Sequence, residues 1–143
     1  MIWKRRPDAA QFSALGRGTL NEHLGMTCTD VGDDYIEVTM PVDARTIQVH
    51  GILHGGASVA LAETLGSIAS AYCIDDPETH APVGVEINAS HLRPVPRGQT
   101  VTGRVTPLRI GRRMHVWNIE IRDAEGQLAC VSRLTIAVVE RRK

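Results

Sequence analysis

Aromatic side chains are scarce in this chain: two Trp, two Tyr and one Phe among 143 residues. A core must therefore be filled by Val, Ile, Leu and Ala, and no interleaved aromatics are available to stack on bases. Net charge is also lacking, with 16 basic and 16 acidic residues, which argues against a nucleic-acid protein. Cysteines are few (Cys28, Cys73 and Cys130), far apart and without a CxxC pair. That excludes a disulfide framework and fits a reducing cytoplasm. The six histidines show no zinc-ligand spacing. Long hydrophobic runs are missing as well. The least polar stretch, Ala57 to Ile74, contains Glu63 and several Ser and Gly residues, so no membrane span is expected. The start, Met1 to Pro7, is basic but lacks an apolar signal core. Without repeats, low-complexity segments or a linker, residues 1–143 read as one domain.

What is present is ordered. Asp8 to Leu15 reads as a short helix ended by Gly16 and Gly18, and Asn21 to Leu24 as a helical turn stopped by Gly25. Asp34 to Pro41 alternates, with Ile36, Val38 and Met40 on one face, which predicts a half-buried strand. Pro41 to Ile52 reads as an irregular approach segment. Gly55 to Cys73 predicts one helix of about five turns, rich in Ala, Gly and Ser, with Glu63 as its single charge. A helix with no polar face is a buried helix. After a polar loop, Val83 to His91 alternates with Val83, Val85, Ile87 and Ala89 on one face. Strands are expected at Val101 to Leu108, Met114 to Arg122 and Leu128 to Val139, the last two flanking the turn Asp123-Ala124-Glu125-Gly126. An antiparallel sheet wrapped around one long helix satisfies this order, an α+β domain.

The chemistry concentrates on that helix. His54-Gly55-Gly56 leads into it, and unpaired N–H groups at a helix start favour negative charge. Glycine lets a ligand oxygen approach the backbone, as an oxyanion hole requires; a plain N-terminal turn is the structural alternative. A lone carboxylate on a buried helix is costly unless it is paired or functional. Glu63 could act as general base or as nucleophile, or could pair with an arginine. Gly55 and Glu63 are separated by roughly 12 Å of helix rise, too far to grip one carbonyl within one chain. Two antiparallel copies of the helix could bring Gly55 of one subunit near Glu63 of the other, which predicts a symmetric dimer with composite sites. Ser67 shares a face with Glu63 at i+4.

The segment Met40-Pro41-Val42-Asp43-Ala44-Arg45-Thr46, then Gln48, then Gly51 to Glu63 resembles the signature of hotdog-fold acyl-CoA thioesterases. More narrowly it is similar to the branch acting on aryl-CoA thioesters, as are Val85 to Arg93 and the Gly111 to Ile121 strand. The resemblance implies a hotdog fold and cleavage of an acyl-CoA or acyl-carrier thioester. It implies Glu63 as base or nucleophile, the Gly55 N–H polarising the thioester carbonyl, Gln48 and His54 positioning, and Ser67 assisting the water. It implies a site straddling a homodimer, or a dimer-of-dimers tetramer, with no metal or redox cofactor. One departure is His50, where relatives tend to carry an aromatic residue; it is placed near the acyl pocket.

Charge is uneven. Between Glu86 and Glu120 the chain has no acidic residue but carries Arg93, Arg97, Arg104, Arg109, Arg112 and Arg113. A basic cluster suits the phosphates of coenzyme A or phosphopantetheine. Arg93, with His91 on the same strand face, is the first candidate; Arg112 and Arg113, after a turn at Gly111, follow. The tail Arg141-Arg142-Lys143 reads as solvated. Two other functions use similar residues: a hotdog hydratase or dehydratase, and a non-catalytic acyl-CoA-binding module. The first places its His and acid differently, and the second is expected to lose the carboxylate that Glu63 supplies.

Overall fold

The computed structural model describes residues 1–142. Two short helices come first. α1 (Ala9–Leu15) is capped by the Asp8 carboxylate, which accepts the Ala10 N–H at 2.9 Å. α2 (Leu20–His23) is capped by Thr19. Gly25, at φ 70°, ends the turn that follows as only glycine does readily. Six strands follow: β1 (Thr27–Val31), β2 (Ile36–Pro41), β3 (His80–His91), β4 (Thr100–Ile110), β5 (Met114–Arg122) and β6 (Leu128–Glu140). The long helix α3 (Gly55–Cys73) lies between β2 and β3 in sequence, with the bounds its composition predicts.

All six strands form one antiparallel sheet in the order β1-β2-β4-β5-β6-β3. Its inner face packs on α3, giving the α+β hotdog arrangement. Ile36, Val38 and Met40 are buried on β2, as their alternation predicts, and His115, Trp117, Ile119 and Ile121 are buried on β5. The small residues of α3 serve this contact. Gly66 leaves space that Leu134 occupies, so a side chain there would collide with it. Ser70 is fully buried and accepts the Trp117 indole N–H at 2.7 Å, which satisfies the one polar atom of the largest core residue.

Two strands depart from expectation. β1 is not legible as a strand because it is acidic, buries only Cys28, and is irregular between Cys28 and Asp30. β3 exists, but its alternation breaks. A bulge between Gly84 and Glu86 leaves Val85 opposite no residue of β6. Ile87 and Ala89 pack on the core as expected, whereas Val83 and Val85 are exposed. Arg141 and Arg142 are exposed, as expected of the tail, and Arg141 Nε in addition donates to the Pro77 carbonyl at 2.8 Å. Lys143 lies outside the described residues.

Candidate active site

The approach to α3 is pinned by backbone hydrogen bonds. Leu53 N–H donates to the Val95 carbonyl and His54 N–H to the Thr46 carbonyl, both at 2.8 Å. Just before, Gln48 to Gly51 forms a tight turn with Gly51 at φ 78°. The Gln48 side-chain oxygen accepts the His50 N–H. With its carbonyl engaged, the Gln48 amide presents its NH2 group as a donor.

His54 is the N-cap of α3. Its Nδ1 accepts the Gly56 N–H at 2.8 Å, so the neutral ring carries its proton on Nε2. Gly56 makes this possible, because a Cβ there would lie 2.9 Å from the His54 ring. The His54 carbonyl accepts from Ala57 at 3.0 Å and Ser58 at 3.2 Å. Of the first helical N–H groups, that of Gly55 alone has no acceptor among the described residues. It is a free donor at the positive end of a helix dipole.

Gly55 opens on a groove of about 380 Å³ walled by Gln48, Leu53, Ser58, His91, Arg93 and Val95, with neighbouring apolar residues. His91 lies over the glycine: a Cβ on Gly55 would stand 2.9 Å from His91 Nε2. Four predicted residues, Gln48, Gly55, His91 and Arg93, therefore meet in one groove.

Glu63 lies two turns along α3, half-buried. Burial raises its pKa above the ordinary glutamate value, and a hydrogen bond from Ser67, 3.5 Å away, partly offsets this. No ion pair holds it among the described residues. One carboxylate oxygen rests against Gly84 on β3, where any side chain would collide with it. β3 is an edge strand, so the carboxylate sits at an open border of the sheet.

Other predicted residues fall elsewhere. His50 is exposed in the turn before α3 and engages Gln48 through its backbone. Arg112 and Arg113 lie in the β4–β5 turn, where Arg112 borders a cavity of about 260 Å³ with Cys73, His80 and His115. That cavity adjoins the far end of α3, roughly 27 Å of helix from Gly55, so one chain does not unite the two groups. Arg104 is paired with Glu37 at 2.7 Å and stacks on Tyr35. Burial pushes the Cys73 thiol up to about 11, so it is not an activated nucleophile. Sequence reasoning missed Ser58. Its spacing from Gly55 was visible, but it was read as one more small helical residue.

Residues 50–130 match the model of the thioesterase superfamily. The chain is 51% identical to the proofreading thioesterase EntH of Cronobacter turicensis over 97% of this chain and 99% of that protein. It is 47% identical to the 1,4-dihydroxy-2-naphthoyl-CoA hydrolase of Escherichia coli, over 97% of this chain and 100% of that protein. The crystal structure of thioesterase HI1161 from Haemophilus influenzae superposes with a TM-score of 0.92 at 48% identity, covering 98% of this chain and 96% of that one. Family model, relatives and fold coincide on the segment that carries Gly55 and Glu63, and the chain belongs to the thioesterase superfamily as a thioester hydrolase.

Proposed function

We propose that the chain hydrolyses an aryl or related acyl-CoA thioester to the free acid and coenzyme A. The observation that carries this is the Gly55 N–H, without an acceptor among the described residues, on the wall of a groove that Gln48, His91 and Arg93 also line. The thioester oxygen accepts from Gly55, with the Gln48 amide as a positioning donor and His54 shaping the helix start. Charge developing on that oxygen is stabilised by a fixed donor and the helix dipole. Glu63 either activates water to attack the acyl carbon or attacks it to form an anhydride that water then cleaves to the free acid; Ser67 orients the attacking group, and the thiolate of coenzyme A leaves. Arg93 and His91 receive phosphate or pantetheine oxygens, with Arg112 and Arg113 supplied from a second copy. The relative named as a 1,4-dihydroxy-2-naphthoyl-CoA hydrolase supports an aryl group, and His50, exposed in the turn after Gln48, bears on its size.

The working unit in this reading is a homodimer, alone or paired as a tetramer. β3 is 12 residues long and has one unpaired edge, and Val83 and Val85 on it are exposed. Such an edge is a template for a second chain. Pairing two copies there sets their helices side by side and brings Gly55 of one toward Glu63 of the other. The free, buried state of all three cysteines supports a cytoplasmic setting, and no helix among the described residues is long and apolar enough to cross a membrane.

A panel of aryl, β-hydroxyacyl and simple fatty acyl-CoA substrates, followed with a thiol reagent, tests the reading. Steady thiol release fastest with aryl thioesters supports it. Water addition to an enoyl-CoA without thiol release, or tight binding with no turnover, overturns it.

A further inference from the structure

Wherever α3 needs only smallness facing the sheet, it uses Ala or Gly, as at Ala62, Gly66 and Ala69. Its three serines are different. Ser70 accepts the Trp117 indole at 2.7 Å, and Ser67 donates to Glu63 at 3.5 Å. The Ser58 hydroxyl has no partner among the described residues, although Ser58 is only 2% exposed. A helical serine commonly turns back to the carbonyl four residues earlier. Here that carbonyl belongs to His54 and already accepts the N–H groups of Ala57 and Ser58. The hydroxyl oxygen is not sealed off as that of Ser132 is, and the space beside it, where a partner can be met, is the groove that Ser58 walls together with Gln48, Leu53, Gly55 and Val95.

Direction follows from helix geometry. Cα–Cβ bonds tilt toward the helix N-terminus, so a side chain covers the turn before its own Cα. For Ser58 that turn begins at Gly55, which has no side chain to intervene. The hydroxyl and the free Gly55 N–H therefore face the same part of the groove.

We propose that the Ser58 hydroxyl is a second hydrogen-bond donor to the substrate carbonyl oxygen that the Gly55 N–H receives. This deepens the thioesterase reading and rests on it. Beside the Gln48 amide, the helix itself then supplies one backbone donor and one side-chain donor from within a single turn.

The test has two readouts. In the wild-type background, Ser58→Ala should lower kcat about 10²-fold, the scale of one lost oxyanion donor, with KM changed only a few-fold; Ser58→Thr, which keeps the hydroxyl, should recover much of the loss. In a Glu63→Gln background, a bound acyl-CoA carrying ¹³C at the thioester carbonyl should show an infrared stretch lowered relative to free substrate. Adding Ser58→Ala should reverse part of that lowering. A folded Ser58→Ala protein with wild-type kcat and an unchanged carbonyl stretch overturns the proposal, as does an effect confined to KM. If Ser58→Ala does not fold, Ser58→Cys, a near-isostere and weak donor, is read by the same criteria. A wild-type chain that releases no thiol from any thioester sinks the parent reading and this assignment together. An active wild type with a silent Ser58→Ala sinks Ser58 alone.

Discussion

Glu63, on the buried helix α3, rests a carboxylate oxygen against Gly84, on the unpaired edge strand β3. The acid is thus half-buried with no cation paired to it among the described residues, and its proton affinity is raised chiefly by desolvation. This contact underlies the first three predictions.

Replacing Glu63 by Gln removes the charge and keeps the shape. Turnover of an acyl-CoA should fall by at least about 10³-fold. The fold should gain stability at the same time. A carboxylate whose folded pKa is raised contributes best while protonated, and that contribution is lost as pH rises through the folded pKa. At neutral pH the wild-type charge is a liability, so Glu63→Gln should raise Tm by on the order of a few °C. Near the ordinary glutamate pKa the difference should vanish. Calorimetry at both pH values, beside a thiol-release assay, checks both halves.

Ser67 opposes the desolvation of Glu63 by hydrogen-bonding its charged form. Activity should decline as pH falls through the raised pKa of Glu63, at a pH above the ordinary glutamate value. Ser67→Ala removes the lowering influence and should move that acid limb higher. A kcat/KM profile whose limb stays put, or moves down, removes Ser67 from this role.

A composite site makes a complementation experiment decisive. Gly55→Ala forces a methyl into the His91 ring and should be inactive, as should Glu63→Gln. Dissociated, mixed and reassembled, the two should recover about a quarter of wild-type activity, because half of the dimers are mixed and each holds one intact site. No recovery from a mixture shown to exchange subunits places both residues in the same chain's site.

The buried pair Trp117 and Ser70 concerns stability. Ser70→Ala leaves the indole N–H without an acceptor in the core, at a cost of about 1–3 kcal/mol. Urea unfolding should show the loss, while kcat per folded protein stays near wild type.

His115 is buried, and its Nδ1 has no partner among the described residues. Burial lowers its pKa, with a hydrogen bond to the Gly111 backbone partly opposing. The unfolded chain therefore binds a proton at a pH where the folded chain does not. Stability from this group is full above about pH 6.5 and is lost as pH falls toward the folded pKa. His115→Leu should flatten the decline in Tm between about pH 7 and 5. An equal decline in both proteins assigns it to other groups.

Much of the fold was legible. The bounds of α3 follow from Gly55-Gly56 at its start and from the run of small residues behind them. β2 and β5 follow from strict alternation. Sequence periodicity fails where backbone geometry is irregular, at β1 and within β3. The site was legible in its charged and glycine members, because Glu63 is conspicuous on an uncharged helix. Gln48 was reached through family resemblance alone, because its partner contact runs to a backbone N–H three-dimensional structure must supply. Ser58 escaped because a hydroxyl defined by the lack of a partner has no signature in a string of small residues.

The extra residue in β3 has a numerical consequence. Gly84 touches Glu63 and His91 touches Gly55, so both must face the helix. They stand seven positions apart, an odd count that sends them to opposite faces of a regular strand. Val85 absorbs the mismatch. Parity along this strand is therefore part of the candidate site's specification: deleting Val85 alone would change no chemical group of the proposed reaction, yet would turn either the glutamate's resting place or the imidazole outward.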